Sequence, residues 1–213
     1  MEEVFGIVPQ VIDVVSIVAC GPSALACGAE RAPGYVIAVN DAYRHVRHDA
    51  VLSMDGRWAA NRFRDVVDTP AEMYIRARAF NHVDLSYLGQ YRTATFPRLN
   101  VFECDNHTDT FSDRKRPLQL NGPNSGYCAL NLAYQLRPRI VWLFGFDHSG
   151  RHFHPESEWR QRGEGSVNTP RKFAEWSASC YEARRFFDDR GILVVNTNKN
   201  SMVRAFGFGE LPA

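Results

Sequence analysis

Residues 121–150 read NGPNSGYCALNLAYQLRPRIVWLFGFDHSG. The polar turn at the start of this segment precedes an apolar-periodic stretch of about ten residues, which predicts a helix with Asn124 or Ser125 as its N-cap. Residues 140–144 then form an uninterrupted apolar run, bounded by Pro138 and Gly145 and containing β-branched and aromatic members. Such a run is typical of a buried parallel strand. The segment therefore predicts a helix followed by a central strand of an α/β sheet.

Two turns of this segment are candidates for ligand contacts. A Ser-Gly turn at a helix start offers free backbone N–H groups to an anion, which makes Asn124, Ser125 and Gly126 candidate contacts. The loop after the strand carries Asp147 and His148, and open α/β sheets place ligand chemistry at such loops. Gly126 could equally serve only to let the helix pack tightly on the sheet, so both interpretations stay open.

The rest of the chain continues the alternation of strands and helices. Strands are predicted at residues 11–19, 35–39, 50–53, 72–75, 98–102 and 192–195, and helices from residue 23 and over residues 56–67, 170–189 and 202–206. The first three strands lead into Gly21-Pro22-Ser23, Asn40 and Asp55, respectively. Because the carboxyl ends of parallel strands meet at one edge of a sheet, these residues are predicted to converge. The alternation predicts an α/β fold, with residues 1–213 as a single Rossmann-like domain whose mostly parallel sheet is flanked by helices.

Composition narrows the class of protein. A chain of 213 residues with 45% hydrophobic residues can bury one sizeable core. Its net charge of +1 gives no general attraction to nucleic acid or to an acidic membrane surface. Five widely spaced cysteines without a C-x-x-C pair argue against a disulfide framework and a structural zinc site. No apolar run approaches the ~18 residues of a transmembrane helix, and signal-peptide features are missing, so we expect a cytoplasmic protein.

Two long polar segments, residues 105–124 and 150–169, are longer than most loops of compact domains, which predicts that they are functional or mobile. The second segment contains His152 and His154 and is interpreted as a lid over the strand ends. The aromatic residues of both segments would also suit contact with a second subunit in a homo-oligomer.

The order of these motifs resembles that of the bacterial sialyltransferases of glycosyltransferase family 42. It resembles more loosely the fold of the archaeal 6-hydroxymethylpterin diphosphokinases. The likeness extends from about residue 14 to residue 206 and includes Asn200-Ser201 after the last predicted strand. It implies a CMP-sugar donor lying across the strand ends and transfer to an acceptor hydroxyl without a metal or cofactor. The candidate donor-binding residues are Gly21, Pro22, Ser23, Asn40, Asp55, Asn124, Ser125, Gly126 and Asp147, with Asp55 standing where an asparagine is usual.

The catalytic residues depart from the family pattern. The histidine that the family places at the start of the long late helix has no counterpart, because residues 168–172 read Asn-Thr-Pro-Arg-Lys. His148, His152 and His154 are the candidates to replace it, either as base for the acceptor hydroxyl or as donor to the departing phosphate. The acceptor and the identity of the sugar stay open.

Two other interpretations stay open as well. A diphosphokinase-like enzyme that uses ATP and Mg²⁺ would need converging carboxylates, for which Asp41, Asp55 and Asp147 are the strand-end candidates. The absence of the family histidine would alternatively fit a non-catalytic nucleotide-binding module that has lost its base.

Overall fold

The computed structural model describes residues 12–83, 96–148 and 170–211. These residues form one eight-stranded sheet in the order β5-β4-β3-β2-β1-β6-β7-β8, and every neighbouring pair is parallel. The strands are β1 (Val14–Val18), β2 (Tyr35–Val39), β3 (Ala50–Ser53), β4 (Glu72–Arg76), β5 (Leu99–Phe102), β6 (Ile140–Phe144), β7 (Leu193–Asn196) and β8 (Gly207–Phe208). The helices are α1 (Ser23–Ala26), α2 (Gly56–Val67), α3 (Ala77–Phe80), α4 (Ser125–Leu136) and α5 (Pro170–Asp188), with 3₁₀ turns at Ala29–Arg31 and Asn40–Arg44. The predicted α/β class and parallel sheet are confirmed.

The direction in which the chain crosses the sheet reverses between β1 and β6. Strands β1 to β5 follow one another toward one edge, and β6 then pairs with the free side of β1, with Ile17 opposite Leu143. Right-handed crossovers in opposite directions place helices on opposite faces of a sheet. Open α/β sheets generally bind ligands at the strand ends beside such a reversal.

Two layers of helices cover the sheet. One face packs α4 and α5 against alternate strand residues such as Ile17 and Ile37, while the other packs α1 and α2 against Ala38 and Val51. The alternation follows from the two-residue period of a strand. Among the described residues, no helix is both long and apolar enough to span a bilayer.

The prediction of a helix at residues 202–206 is wrong. The backbone N–H of Met202 donates to Asp147 O at 3.1 Å, and that of Val203 donates to Ser201 Oγ at 2.9 Å. Ser201 Oγ in turn donates to Phe146 O at 2.5 Å. Since these groups are bonded to the loop after β6 or to each other, the chain runs irregularly here and continues into β8.

Residues 105–124 are held in place by side chains of α4. Asn131 Oδ1 accepts from the backbone N–H groups of Ser112 and Asn121 at 3.0 and 2.8 Å, and Gln135 Nε2 donates to Gln119 O at 2.9 Å. Phe111 is buried in the core between α4 and α5. These contacts indicate that residues 105–124 are ordered, which disfavours the prediction that this segment is mobile. The predicted lid at residues 150–169, with His152 and His154, lies outside the described residues.

Candidate functional site

Five predicted residues lie on the loops that leave the carboxyl edge of the sheet. They are Ser23 after β1, Asn40 after β2, Ser125 at the start of α4, and Asp147 and His148 after β6, and we call this set the strand-end site. Hydrogen bonds join neighbouring loops within it: Met54 N–H donates to Ser125 Oγ at 3.2 Å, and Ser53 Oγ donates to Asn40 Oδ1 at 2.8 Å. The predicted convergence of these loops is therefore present in the structure.

Asp147 ties three of the loops together. Its carboxylate is buried, at 4% exposure, and accepts the backbone N–H of Ser23 at 2.8 Å and the Asn198 amide at 2.7 Å. The Ser23 hydroxyl also donates to it. Hydrogen bonds to a charged acceptor are among the stronger ones in proteins. Asp147 thus positions the loops after β1, β6 and β7, a role that also occupies the side chain of Ser23.

Gly21 leaves space for this junction. A Cβ atom at Gly21 would lie 2.2 Å from Gly145 O and 2.6 Å from Asp147 Oδ2. Its backbone N–H donates to the same Gly145 oxygen at 3.0 Å, so the two loops cannot separate without losing a hydrogen bond. The close approach of the backbone explains why a glycine stands here.

Replacing Gly21 with alanine should destabilise the protein by about 3 kcal/mol, because the methyl group must displace backbone rather than a flexible side chain. Urea unfolding gives the free energy of unfolding. Gly207→Ala is the matched control, since nothing lies within 4 Å of a Cβ there. Equal stability of the two variants would contradict the proposed close packing of the loops.

The turn before α4 combines capping with free donors. Asn124 is the N-cap, and its Oδ1 accepts from Tyr127 N–H at 2.9 Å. The N–H groups of Ser125 and Gly126 have no acceptor within the helix, as is general for a first turn, and are available to an anion. A Cβ at Gly126 would lie 3.4 Å from the Phe146 ring, so close packing also contributes to the presence of this glycine.

Asp55 has a structural role. It is the N-cap of α2, and its Oδ1 accepts from the backbone N–H groups of Arg57 and Trp58 at 2.8 and 3.2 Å. Asp41 is buried and accepts from the Trp58 indole at 3.0 Å. Within residues 12–83, 96–148 and 170–211, no group of three or more His, Cys, Asp or Glu residues is arranged to hold a metal ion. The diphosphokinase interpretation therefore gains no support from the strand-end carboxylates.

Backbone strain is concentrated at the strand-end site. Asn40 and His148 adopt left-handed conformations, with φ of 52° and 51°. The remaining non-glycine residue with positive φ in the described parts is Arg137, which is explained by its position at the C-cap of α4. A left-handed residue costs roughly 1–2 kcal/mol, and such strain clusters at functional sites. Two of the three strained positions are thus predicted site residues.

Hydrogen bonds to α5 fix the protonation pattern of His148. Its Nδ1 lies 2.9 Å from Ser177 Oγ, and Ser177 Oγ donates to Phe173 O at 2.8 Å. A hydroxyl has one proton to donate, so the Ser177 oxygen must accept from His148 Nδ1–H. The neutral imidazole then carries its lone pair on Nε2, where it can accept a proton.

The surroundings of His148 keep it neutral. Its ring packs against the rings of Phe173 and Trp176, with centroids 6.1 and 6.2 Å away. Burial lowers the pKa of His148 to about 4, although the neighbouring carboxylate of Asp147 opposes this shift. At neutral pH the side chain is therefore an uncharged hydrogen-bond donor at Nδ1 and an acceptor at Nε2.

The low pKa of His148 predicts that the free energy of unfolding depends on pH. Between pH 7 and pH 4.5 the unfolded chain, whose histidine has a pKa of about 6.5, binds more protons than the folded one, so stability falls as the pH is lowered. The contribution of His148 is about 2 kcal/mol over this interval. His148→Asn should therefore lose less stability than the unmodified chain when urea unfolding is compared at the two pH values. An identical loss in both proteins would contradict the buried, neutral histidine.

Two contributors to the site were missed by the sequence prediction. Ser177 could have been noticed as a polar residue within the apolar stripe of α5, between Phe173 and Cys180. Asn198 follows β7 in an asparagine-rich run and was not distinguished from its neighbours. His152 and His154, the other two predicted catalytic residues, lie outside the described residues.

A cavity of about 680 Å³ adjoins the Asp147 junction. It lies between α1 and the loop after β7, and Asn198 is part of its wall. The exposed apolar side chains of Leu25 and Phe208 face it together with charged Glu30 and Arg31. Neither Asn40 nor Ser125 lines this cavity, so it is a neighbour of the strand-end site rather than its centre.

Comparison with known proteins relates the fold to that of bacterial sialyltransferases. No protein-family model matches the sequence, and no match to it was found among curated proteins. The structure resembles the sialyltransferase CstII from Campylobacter jejuni bound to the substrate analogue CMP-3FNeuAc, with a TM-score of 0.55, 12% identity, and coverage of 92% of this chain and 85% of that one. It also resembles the complex of CST-II with a trisaccharide acceptor and CMP, with a TM-score of 0.55, 15% identity and the same coverage.

A tyrosine-to-phenylalanine variant of CST-II in complex with CMP is similar as well, with a TM-score of 0.60, 14% identity, and coverage of 92% of this chain and 86% of that one. At these identities the likeness concerns the fold. The resemblance inferred from the motif order is thus confirmed at that level, and the chain has the fold of the bacterial sialyltransferases.

Proposed function

We propose that this protein is a glycosyltransferase that moves a sugar from a CMP-sugar donor to an acceptor hydroxyl without a metal or cofactor. The observation that carries the proposal is the position of His148, a neutral histidine with an unprotonated Nε2 at the strand edge that also holds Asn40 and the start of α4. The fold shared with sialyltransferases supports the same assignment.

The donor is proposed to lie across the ends of β1, β2 and β6. The free N–H groups of Ser125 and Gly126 at the start of α4 suit an anionic phosphate, because the helix dipole adds to their hydrogen bonds. The strained backbone of Asn40 holds an amide at the next strand end. Ser23 and Asp147 keep the loops around the donor at a fixed spacing.

His148 is proposed to act as the general base. Its Nε2 takes the proton of the acceptor hydroxyl while the hydroxyl oxygen attacks the anomeric carbon, and CMP departs with the electrons of the broken bond. The donor phosphate would raise the low pKa of His148, because a nearby negative charge favours the protonated form. Binding of the donor would thus increase the basicity of the residue that needs it.

The position of His148 relative to α5 supports this role. The family resemblance implies a catalytic histidine at the start of the long late helix, where this chain has none. His148 arrives from β6 instead and packs against Phe173 and Trp176 in the first two turns of α5. A histidine is therefore present beside the start of that helix, although it comes from a different part of the sequence.

A thermal-shift comparison of nucleotides tests the proposal. CMP or CMP-sialic acid at ~100 times the dissociation constant should add about 2.7 kcal/mol to the free energy of unfolding, with or without Mg²⁺. UMP and ATP serve as controls for the base and for the number of phosphates. Protection by ATP that depends on Mg²⁺, without protection by CMP, would reject the proposal in favour of diphosphokinase-like chemistry.

A further inference from the structure

Two cysteines lie in contact directly beneath the start of α4. Cys104 follows β5, and Cys128 lies in the first turn of α4, with their Sγ atoms 3.8 Å apart. Cys104 is partly exposed, whereas Cys128 has 0% exposure. All five cysteines of the chain are free thiols, so this contact is between two reduced groups.

The surroundings favour ionisation of Cys104 over Cys128. The hydrogen bond that Cys128 donates to the ionised Cys104 sulfur lowers the pKa of Cys104, and the guanidinium of Arg76 adds to this effect. Arg76 is held nearby by a bond of 3.3 Å to Cys104 O. The contact with Cys104 and, after it, full burial raise the pKa of Cys128. The partly exposed sulfur is thus the first to become a thiolate, the form that attacks disulfides.

When both thiols are protonated, each donates its one proton to the segment that leads into α4. Cys104 Sγ donates to Gly122 O and Cys128 Sγ to Leu120 O, each at 3.7 Å. The backbone N–H of Cys128 donates to Asn124 O at 3.0 Å. The sulfur pair is therefore connected to the N-cap residue of the turn that carries Ser125 and Gly126.

We propose that Cys104 and Cys128 are a redox-active dithiol that closes to a disulfide and loosens the start of α4. With glutathione disulfide as oxidant, the Cys104 thiolate attacks one glutathione sulfur, forming a mixed disulfide and releasing one glutathione thiolate. The Cys128 thiolate then attacks the sulfur of Cys104 and releases the second glutathione. The protein dithiol loses two electrons and two protons, and glutathione disulfide becomes two molecules of glutathione.

Closure must disturb residues 120–124. The sulfurs have to approach by about 2 Å to bond, and both S–H donors disappear in the process. Leu120 O and Gly122 O then lose the partners described above. Gly122 has φ of +141° and a Cβ there would lie 2.3 Å from the Tyr127 ring, so this segment is tightly packed and cannot absorb the shift locally. The displacement reaches Asn124 and the first turn of α4.

Mass spectrometry of the complete chain in glutathione redox buffers tests the disulfide. Oxidation should remove the mass of two hydrogens, and peptide mapping of the unmodified sequence should find Cys104 linked to Cys128. Cys104→Ser should abolish the linkage, while Cys27→Ser, at a partly exposed cysteine elsewhere in the chain, should leave it intact. A stable glutathione adduct on Cys104, a linkage to another cysteine, or five unmodified thiols would each overturn the proposal.

Hydrogen exchange provides a second readout that requires no substrate. The amides of residues 120–127 should exchange faster in the oxidised form than in the reduced form, and unchanged exchange would overturn the structural part of the proposal. The expected effect of oxidation on ligand binding rests on the proposed function. Oxidation should weaken CMP binding about tenfold, a typical magnitude for the coupling between two sites. Absence of CMP binding in both forms would reject the proposed function, while the disulfide is judged from mass and exchange alone.

Discussion

Replacing His148 with asparagine should reduce the rate of sugar transfer by about 10²–10⁴-fold, the range expected for loss of a general base. Asparagine is the appropriate replacement because His148 has φ of 51°, and asparagine tolerates the left-handed region better than most residues. The dissociation constant of CMP should change little, since the proposed contact is with the acceptor proton. Release of CMP from CMP-sialic acid, with calorimetric binding of CMP, measures both quantities.

His107→Asn is the matched control, because His107 is an exposed histidine outside the strand-end site. A second variant, Ser177→Ala, keeps the imidazole but removes the acceptor that fixes Nδ1–H. It should lower the rate less than His148→Asn does and shift its pH profile. Full transfer activity of His148→Asn would show that the base lies elsewhere, for example at His152 or His154. CMP binding without any cleavage by the unmodified chain would instead select a non-catalytic nucleotide-binding module.

Asp147→Asn should destabilise the protein by about 3 kcal/mol and weaken CMP binding. The substitution places an amide N–H₂ group among donors, because Ser23 and Asn198 both donate to this side chain. Buried donors without an acceptor cost about 1–3 kcal/mol, and more when a charged partner is lost. The loops after β1 and β7 would then lose their common acceptor, which is why the binding site should be affected together with stability.

Asp55→Asn is the matched control for this prediction. Asp55 is likewise a hydrogen-bond acceptor, in its case from two backbone N–H groups. It accepts them as a helix N-cap, where aspartate and asparagine are about equally favourable. Its free energy of unfolding, measured with urea, should therefore stay close to that of the unmodified chain. If Asp147→Asn were equally harmless, the buried carboxylate would not be the junction of the three loops.

The sheet could be predicted where strands are short, fully apolar runs between polar residues. Strands β2, β3 and β6 have the predicted bounds, because both of their faces are covered by helices and apolar residues therefore fill them, apart from Ser53 at the end of β3. Residues 202–206 were mistaken for a helix, since the buried Val203 and Phe206 are three residues apart, a spacing that also fits one face of a helix. Their backbone partners belong to the loop after β6, and such distant partners leave no local signal.

The site was predictable in position but not in the division of roles. Polar residues after successive parallel strands must meet at one edge, so Ser23, Asn40 and Asp147 could be grouped from sequence. The sequence could not show that Asp147 positions Ser23 or that Asp55 caps α2, because both depend on side-chain direction. The contact between His148 and Ser177 joins elements 29 residues apart and depends on how α5 packs on the sheet.

Hydrogen exchange of the chain with and without CMP is the most direct measurement of the central claim, that a donor nucleotide binds at the strand-end site. The account predicts slower exchange in CMP at the amides of Ser23, Ser125 and Gly126 and in the loop that carries His148. Slower exchange confined to the cavity between α1 and the loop after β7, or no change at saturating CMP, would contradict it.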